Sequence, residues 1–166
     1  PHPMYRRQRQ MCIRDRGNYF GSKNLQGTIH VANFIFTSCT HICPKMTTNM
    51  VEVERKFQNN SDVNLVSFTV TPWLDSPDVL KRYKEEFTLN SKNWHFLTGE
   101  KNEIYTLARK SYFAEEEIGF TKDSADFLHT EHFLLVDKNF RIRGIYNGTL
   151  SLEMEQLIKD IDILKK

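Results

Sequence analysis

Two hydrophobic periods take turns along the chain. HVANFIF, residues 30–36, is a nearly continuous apolar run, as expected of a central strand buried on both faces. After Pro44 the apolar residues fall at Met46, Met50, Val53 and Phe57, and this 4-3-4 spacing marks one face of a helix. VNLVSFTV, residues 63–70, is β-branched and apolar and predicts a second buried strand. Ser76 can cap the next helix and Pro77 suits its first position, with Val79, Leu80, Tyr83 and Phe87 on its apolar face. WHFL, residues 94–97, reads as a short strand. Glu100 to about Ala114 reads as a helix with Ile104, Leu107 and Ala108 inward. Residues 115–128 are polar and irregular, as in a surface loop. HFLLVD and RIRGIYN predict a hairpin around Lys138 and Asn139, with Asn139 suited to a positive φ. A last helix carries Leu157, Ile158, Ile161 and Leu164 on one face.

Strands alternating with helices predict an α/β domain, a central sheet flanked by helices, and the closing hairpin makes the sheet mixed. The order is that of a thioredoxin-like fold with one inserted strand. A chain of 166 residues suits one domain with a full core, and 39% apolar with 27% charged residues is ordinary for a globular protein. There is no internal repeat or low-complexity tract. No window holds eighteen consecutive apolar residues, so no membrane span is expected, and no signal peptide is recognisable. An anchor or export signal would lie upstream.

The net charge of +2 hides an uneven distribution. PHPMYRRQRQMCIRDR, residues 1–16, holds five arginines and one aspartate, leaving 18 basic against 20 acidic residues, or −2, for the rest. A basic arm for nucleic acid is one reading of such a run. The segment has neither periodicity nor turn logic and resembles translated adaptor sequence. It is therefore taken as a non-native or disordered leader, with Cys12 in it. The domain is expected over 17–166, and nothing else points to nucleic acid.

Two cysteines remain, in TSCTHICPKM, residues 37–46. They sit where a strand hands over to a helix, where backbone N–H groups and the macrodipole stabilise a thiolate. Lys45 adds a positive charge. Residues i and i+4 share a helix face with Cα atoms about 6 Å apart, a distance that permits a disulfide or two sulfurs on one ion. Inert burial is the bland alternative, but both cysteines lie in a polar turn. Structural zinc needs four ligands, and only one pair is present.

Two thiolates and one imidazole would suit Cu(I). His2 lies in the leader. His30 and His95 fall in strands and read as packed or solvent-facing. His41 lies between the cysteines and is expected to point away from them. His129 and His132 precede or begin the last hairpin. In a thioredoxin-like fold the loop before that hairpin passes over the cysteine turn, so His129, on the loop side, is the candidate third ligand. No proline follows Pro77. The place where thioredoxin-like reductases carry a cis-proline is filled by Leu128-His129-Thr130.

VANFIFTSCTHICPKMTTNM, TVTPWLDSP, HFLTG and FLHTEHFLLVDKNFRIRGIYNGT together resemble the Sco/SenC proteins, from about Asn18 to Lys166. The resemblance implies a thioredoxin-like fold and a membrane tether, facing the bacterial periplasm or the mitochondrial intermembrane space. It implies a copper ion, Cu(I) with Cu(II) left open, on Cys39, Cys43 and His129. It also implies a part in building the dinuclear copper centre of cytochrome c oxidase, alongside other copper chaperones or thiol reductants. Asp75 matches the family in L-D-S-P and is a supporting residue. The chain departs at Thr71, where the family often has aspartate, and at Phe140, where it has the hairpin glycine. The strands that usually precede Gly27 are expected to be missing or overwritten.

The first functional reading is thus a copper metallochaperone whose disulfide, Cys39–Cys43, expels the metal. The alternative is a thiol-disulfide reductase of the oxidase copper-site cysteines, one cysteine attacking and the other resolving. A peroxiredoxin-like peroxidase would match Thr40-His41-Ile42-Cys43, but Phe36 stands where that motif has proline.

Overall fold

The computed structural model describes residues 12–14, 17–87, 91–112 and 128–166. Its strands are β1 (Cys12–Arg14), β2 (Tyr19–Phe20), β3 (Ile29–Ile35), β4 (Val63–Thr69), β5 (Trp94–Thr98), β6 (His132–Val136) and β7 (Ile142–Asn147). Its helices are α1 (Ile42–Phe57), α2 (Pro77–Phe87), α3 (Lys101–Thr106) and α4 (Ser151–Lys165). Among the described residues the strands form one sheet in the order β2-β1-β5-β4-β3-β6-β7. β3, β4 and β5 run parallel, while β6, β7, β1 and β2 pair antiparallel.

The apolar runs of β3 and β4 follow from this placement. Every residue in both is buried, because helices cover both faces of the sheet. Successive side chains point to opposite faces. Val31 and Ile35 therefore join Met46, Met50 and Val53 of α1, Leu80 of α2 and Leu157 and Ile161 of α4 in one core. Ala32 and Phe34 join Ile104 and Tyr105 of α3 in the other. Ser76 and Pro77 act as expected: Val79 N–H donates to Ser76 Oγ at 3.3 Å, and α2 opens at Pro77.

Three expectations need correction or restatement. α1 begins at Ile42, ahead of Pro44, so Cys43 lies inside its first turn. Proline is tolerated there because N–H groups of the first turn have no helical acceptor. The α3 helix widens into a π-type turn over Leu107–Ser111, and Tyr112 N–H donates to the Leu107 carbonyl at 3.0 Å. The positive φ of the last hairpin falls on Phe140 (58°) and not on Asn139. The Asp137 carboxylate accepts the N–H groups of Asn139 and Arg141 at 2.9 and 3.0 Å, so the reversal of the chain is left to residue 140.

Most of the segment read as a leader, and the expected surface loop up to residue 127, lie outside the described residues. Within that leader segment, Cys12–Arg14 forms β1 between β2 and β5.

Candidate metal centre

The turn between β3 and α1 sits at the carboxyl ends of the parallel strands, where open α/β sheets carry their sites. Cys39 N–H donates to the Phe36 carbonyl at 3.2 Å and closes the turn. His41, at the head of α1, gives no side-chain cap. Cys39 supplies the missing acceptor, because its Sγ receives the Cys43 N–H at 3.4 Å.

The two sulfurs are neighbours in unlike surroundings. Both are free thiols, Cys39 half-buried and Cys43 buried in the α1 core. Burial alone would raise the Cys39 pKa. The backbone N–H groups of Cys43, His41 and Ile42, with the Cys43 thiol, outweigh it and hold Cys39 below its ordinary value. Burial likewise pushes Cys43 up, against the Phe36 backbone. The Cys39 sulfur and the Asp75 carboxylate push the same way, and Cys43 reaches about 12.

Asp75 fixes the turn from below. Its buried carboxylate accepts Thr37 Oγ1–H and N–H at 2.6 and 3.2 Å, Thr69 Oγ1–H at 2.6 Å and Thr71 Oγ1–H at 2.9 Å. Four donors around one carboxylate offset the cost of burying it. Thr71, the departure from the family pattern, is thereby part of the scaffold. Sequence reasoning missed Thr37 and Thr69, whose only signal was a cluster of threonines near strand ends. It also missed Tyr83 as a neighbour of the pair. The Tyr83 hydroxyl lies 2.9 Å from Thr47 Oγ1; burial raises its pKa to about 12, with the two cysteines adding to the shift.

His129 is exposed between buried Leu128 and β6. Ala32 of β3 faces Leu134 of β6, and the same register carried onward sets Thr130 level with Phe36. The 128–131 segment therefore lies at the same end of the sheet as the cysteines. Its far end is pinned, because Glu131 accepts Gly148 N–H at 2.7 Å and Asn147 Nδ2–H at 3.2 Å. A Cβ at Gly148 would run into the Phe133 ring, so that anchor depends on glycine. Among the described residues no three His, Cys, Asp or Glu side chains gather as a metal-binding group. The structure thus pairs the two sulfurs and leaves His129 near their end of the sheet but outside their group.

The other histidines have local roles. His41 is exposed, with Nδ1 2.9 Å from Thr40 Oγ1. His95 Nε2 is 3.2 Å from Asn64 Oδ1. His132 opens β6. His30 is fully buried, with Nε2 3.0 Å from the Tyr112 hydroxyl. Burial drives its pKa down to about 3 against an opposing pull from Asp137.

The SCO1/SenC family profile matches residues 9–165. The chain belongs to the SCO1/SenC family. Its thioredoxin-like fold is shared with solved Sco structures. A SCO1/SenC family lipoprotein from Bacillus anthracis is 31% identical with a TM-score of 0.82, over 95% of this chain and 93% of that one. BsSco, a member of the Sco family of cytochrome c oxidase assembly proteins in which a disulfide switch was identified, is 31% identical with a TM-score of 0.75, over 92% and 89%. Bradyrhizobium japonicum ScoI with copper bound is 25% identical with a TM-score of 0.72, over 93% and 96%. The SCO1/SenC match opens at residue 9, inside the segment read as a leader. No helix among the described residues is long and apolar enough to cross a membrane.

Proposed function

We propose that this SCO1/SenC protein carries Cu(I) on Cys39, Cys43 and His129 and delivers it to the dinuclear copper site of cytochrome c oxidase. The observation that carries the reading is the sulfur pair at the head of α1, close enough for Cys43 N–H to reach Cys39 Sγ. Two thiolates form a soft donor set matched to Cu(I), and neutral imidazole is compatible with it. His129 completes the set by a shift of residues 128–130, upstream of the anchor at Glu131. The half-buried Cys39 is where an acceptor thiolate enters, and transfer proceeds by ligand exchange. Oxidation to a Cys39–Cys43 disulfide removes both thiolates and expels the ion. Copper bound to a ScoI relative, and the oxidase assembly family of BsSco, support this reading. We place the domain on the periplasmic side of a bacterial inner membrane, held by a tether, in keeping with the lipoprotein relative.

An anaerobic Cu(I) titration against a competing chelator tests the site. Reduced protein is expected to bind one ion, His129→Ala to bind it at least about tenfold more weakly (about 1.4 kcal/mol), and oxidised protein to bind none. Equal, weak binding in all three forms would sink the reading.

The unlike thiols also favour a second reading, reduction of the acceptor's disulfide. Cys39 thiolate attacks one acceptor sulfur, the acceptor disulfide breaks, and a mixed disulfide forms. Cys43, after losing its proton, displaces the second acceptor thiol and leaves a Cys39–Cys43 disulfide. Cys43→Ser is expected to trap the mixed disulfide. Release of free acceptor dithiol by that variant would exclude the scheme.

A further inference from the structure

Four of the seven exposed large apolar side chains among the described residues fall on one rim of the molecule. Trp73 and Leu74 follow β4, and Leu150 and Leu152 follow β7. β4 ends beside the end of β3, and Asn147 at the end of β7 pairs with His132 at the start of β6. In strand order the rim therefore reads apolar turn, thiol turn, His129 segment, apolar turn.

Trp73 and Leu74 are 54% and 58% exposed, yet they are held firmly. The N–H groups of Leu74 and Asp75 both donate to the Thr71 carbonyl at 2.9 Å. Lys101 Nζ lies 5.2 Å from the Trp73 ring centre and 5.2 Å from that of Tyr105. The Tyr105 hydroxyl donates to the Val70 carbonyl at 2.9 Å. Asp75, next in sequence, also holds Thr37 of the thiol turn. An exposed tryptophan in a turn already closed by backbone hydrogen bonds loses less backbone freedom when covered, which suits an interface anchor.

We propose that Trp73 and Leu74, with Leu150 and Leu152 across the thiol turn, form the docking surface for a cysteine-bearing polypeptide segment of the acceptor protein. This rests on transfer to acceptor thiols as proposed above. Cys43 is buried, so an acceptor thiol reaches the pair from the Cys39 side, and the chain that carries it crosses this rim. Lipid is the other occupant that tryptophan, leucine and lysine can suit. Seating the rim in lipid would separate Cys39 from a partner in water, which favours the polypeptide.

The test separates docking from chemistry. The full chain with Cys12→Ser, Cys39→Ser and Cys43→Ser, which neither binds Cu(I) through a thiolate nor exchanges disulfides, is titrated with the reduced, copper-free soluble domain of an oxidase copper-site subunit. Binding is followed by NMR. Adding Trp73→Ser with Leu74→Ser, or Leu150→Ser with Leu152→Ser, is expected to raise Kd at least about tenfold. Ile163→Ser, about 16 Å along α4 from Leu152, is expected to leave Kd within about twofold. Unchanged melting temperatures exclude misfolding of these surface variants. The proposal is overturned by no binding, by a Kd insensitive to Trp73 and Leu74, or by an equal loss in Ile163→Ser. It is also overturned if phosphatidylglycerol vesicles bind the protein through Trp73 and Leu74 while acceptor binding does not change. Loss of Cu(I) binding by the thiol-bearing protein, with rim-dependent docking intact, would count against the copper reading alone.

Discussion

Cys39 and Cys43 are chemically alike and four residues apart, but the fold treats them differently. Cys39 receives backbone N–H groups and keeps some exposure; Cys43 loses water and faces the Asp75 carboxylate. Since the thiolate is the reactive form, iodoacetamide at neutral pH is expected to label Cys39 at least about tenfold faster than Cys43 in reduced protein. Peptide mass spectrometry over a time course reads the order, and equal rates would remove the asymmetry. His30 gives a second test at this scale. Its pKa falls from 6.5 unfolded to about 3 folded, so between these values the unfolded chain holds a proton that the fold refuses. Stability is full above pH 6.5 and is lost as pH falls toward 3, with a limiting slope of about 1.4 kcal/mol per unit. His30→Phe is expected to flatten the decline of the urea midpoint between pH 6.5 and 4. A decline as steep as wild type would assign acid sensitivity to other groups.

Hairpin β6–β7 sets two effects against each other in one residue. Phe140 takes a left-handed backbone (φ 58°), which costs a residue with Cβ about 1–2 kcal/mol. Its ring is buried among the α3-side core residues, and deleting such a ring costs about 3–5 kcal/mol. Burial outweighs strain, so Phe140→Gly is expected to destabilise the protein. It should nevertheless be about 1 kcal/mol more stable than Phe140→Ala, the reverse of the usual order. Urea denaturation of both variants reads the difference. This element also shows where local sequence stops being informative. β3 and α1 were legible because an unbroken apolar run and a 4-3-4 spacing each fit one element. The hairpin is legible too, but propensity points to Asn139 as its left-handed residue, whereas the Asp137 carboxylate decides the turn. The cysteine pair could be read from spacing and position. The cradle beneath it could not, because Thr37 comes from the turn after β3, and Thr69, Thr71 and Asp75 from the end of β4 and the turn after it, and they meet only in the assembled sheet. The start of α1 at Ile42 lies ahead of the periodic apolar positions that begin after Pro44, and the proline does not mark it because prolines are accepted throughout the first turn.

Across the whole molecule, the site and the far sheet edge are separate. β1 meets β5 through Ile13–Thr98 and Arg14–Leu97, away from the thiol turn after β3. Removing residues 1–16 is expected to lower stability by about 1–2 kcal/mol through lost strand pairing and to leave Cu(I) affinity unchanged. Thermal melting with the chelator titration tests both halves, and a weakened site would show that the edge matters to it. The opposite holds for β3, which carries the thiol turn and lies between β4 and β6. His30 pairs with Asn64 on one side and with Val136 on the other. A polypeptide is made from its amino end, so Cys39 and Cys43 leave the ribosome long before the second neighbour of their strand exists. During that interval β3 has an unsatisfied edge and the sulfurs have no finished pocket. The newborn chain, more than the mature protein, is then the form whose thiols need guarding from misplaced disulfides.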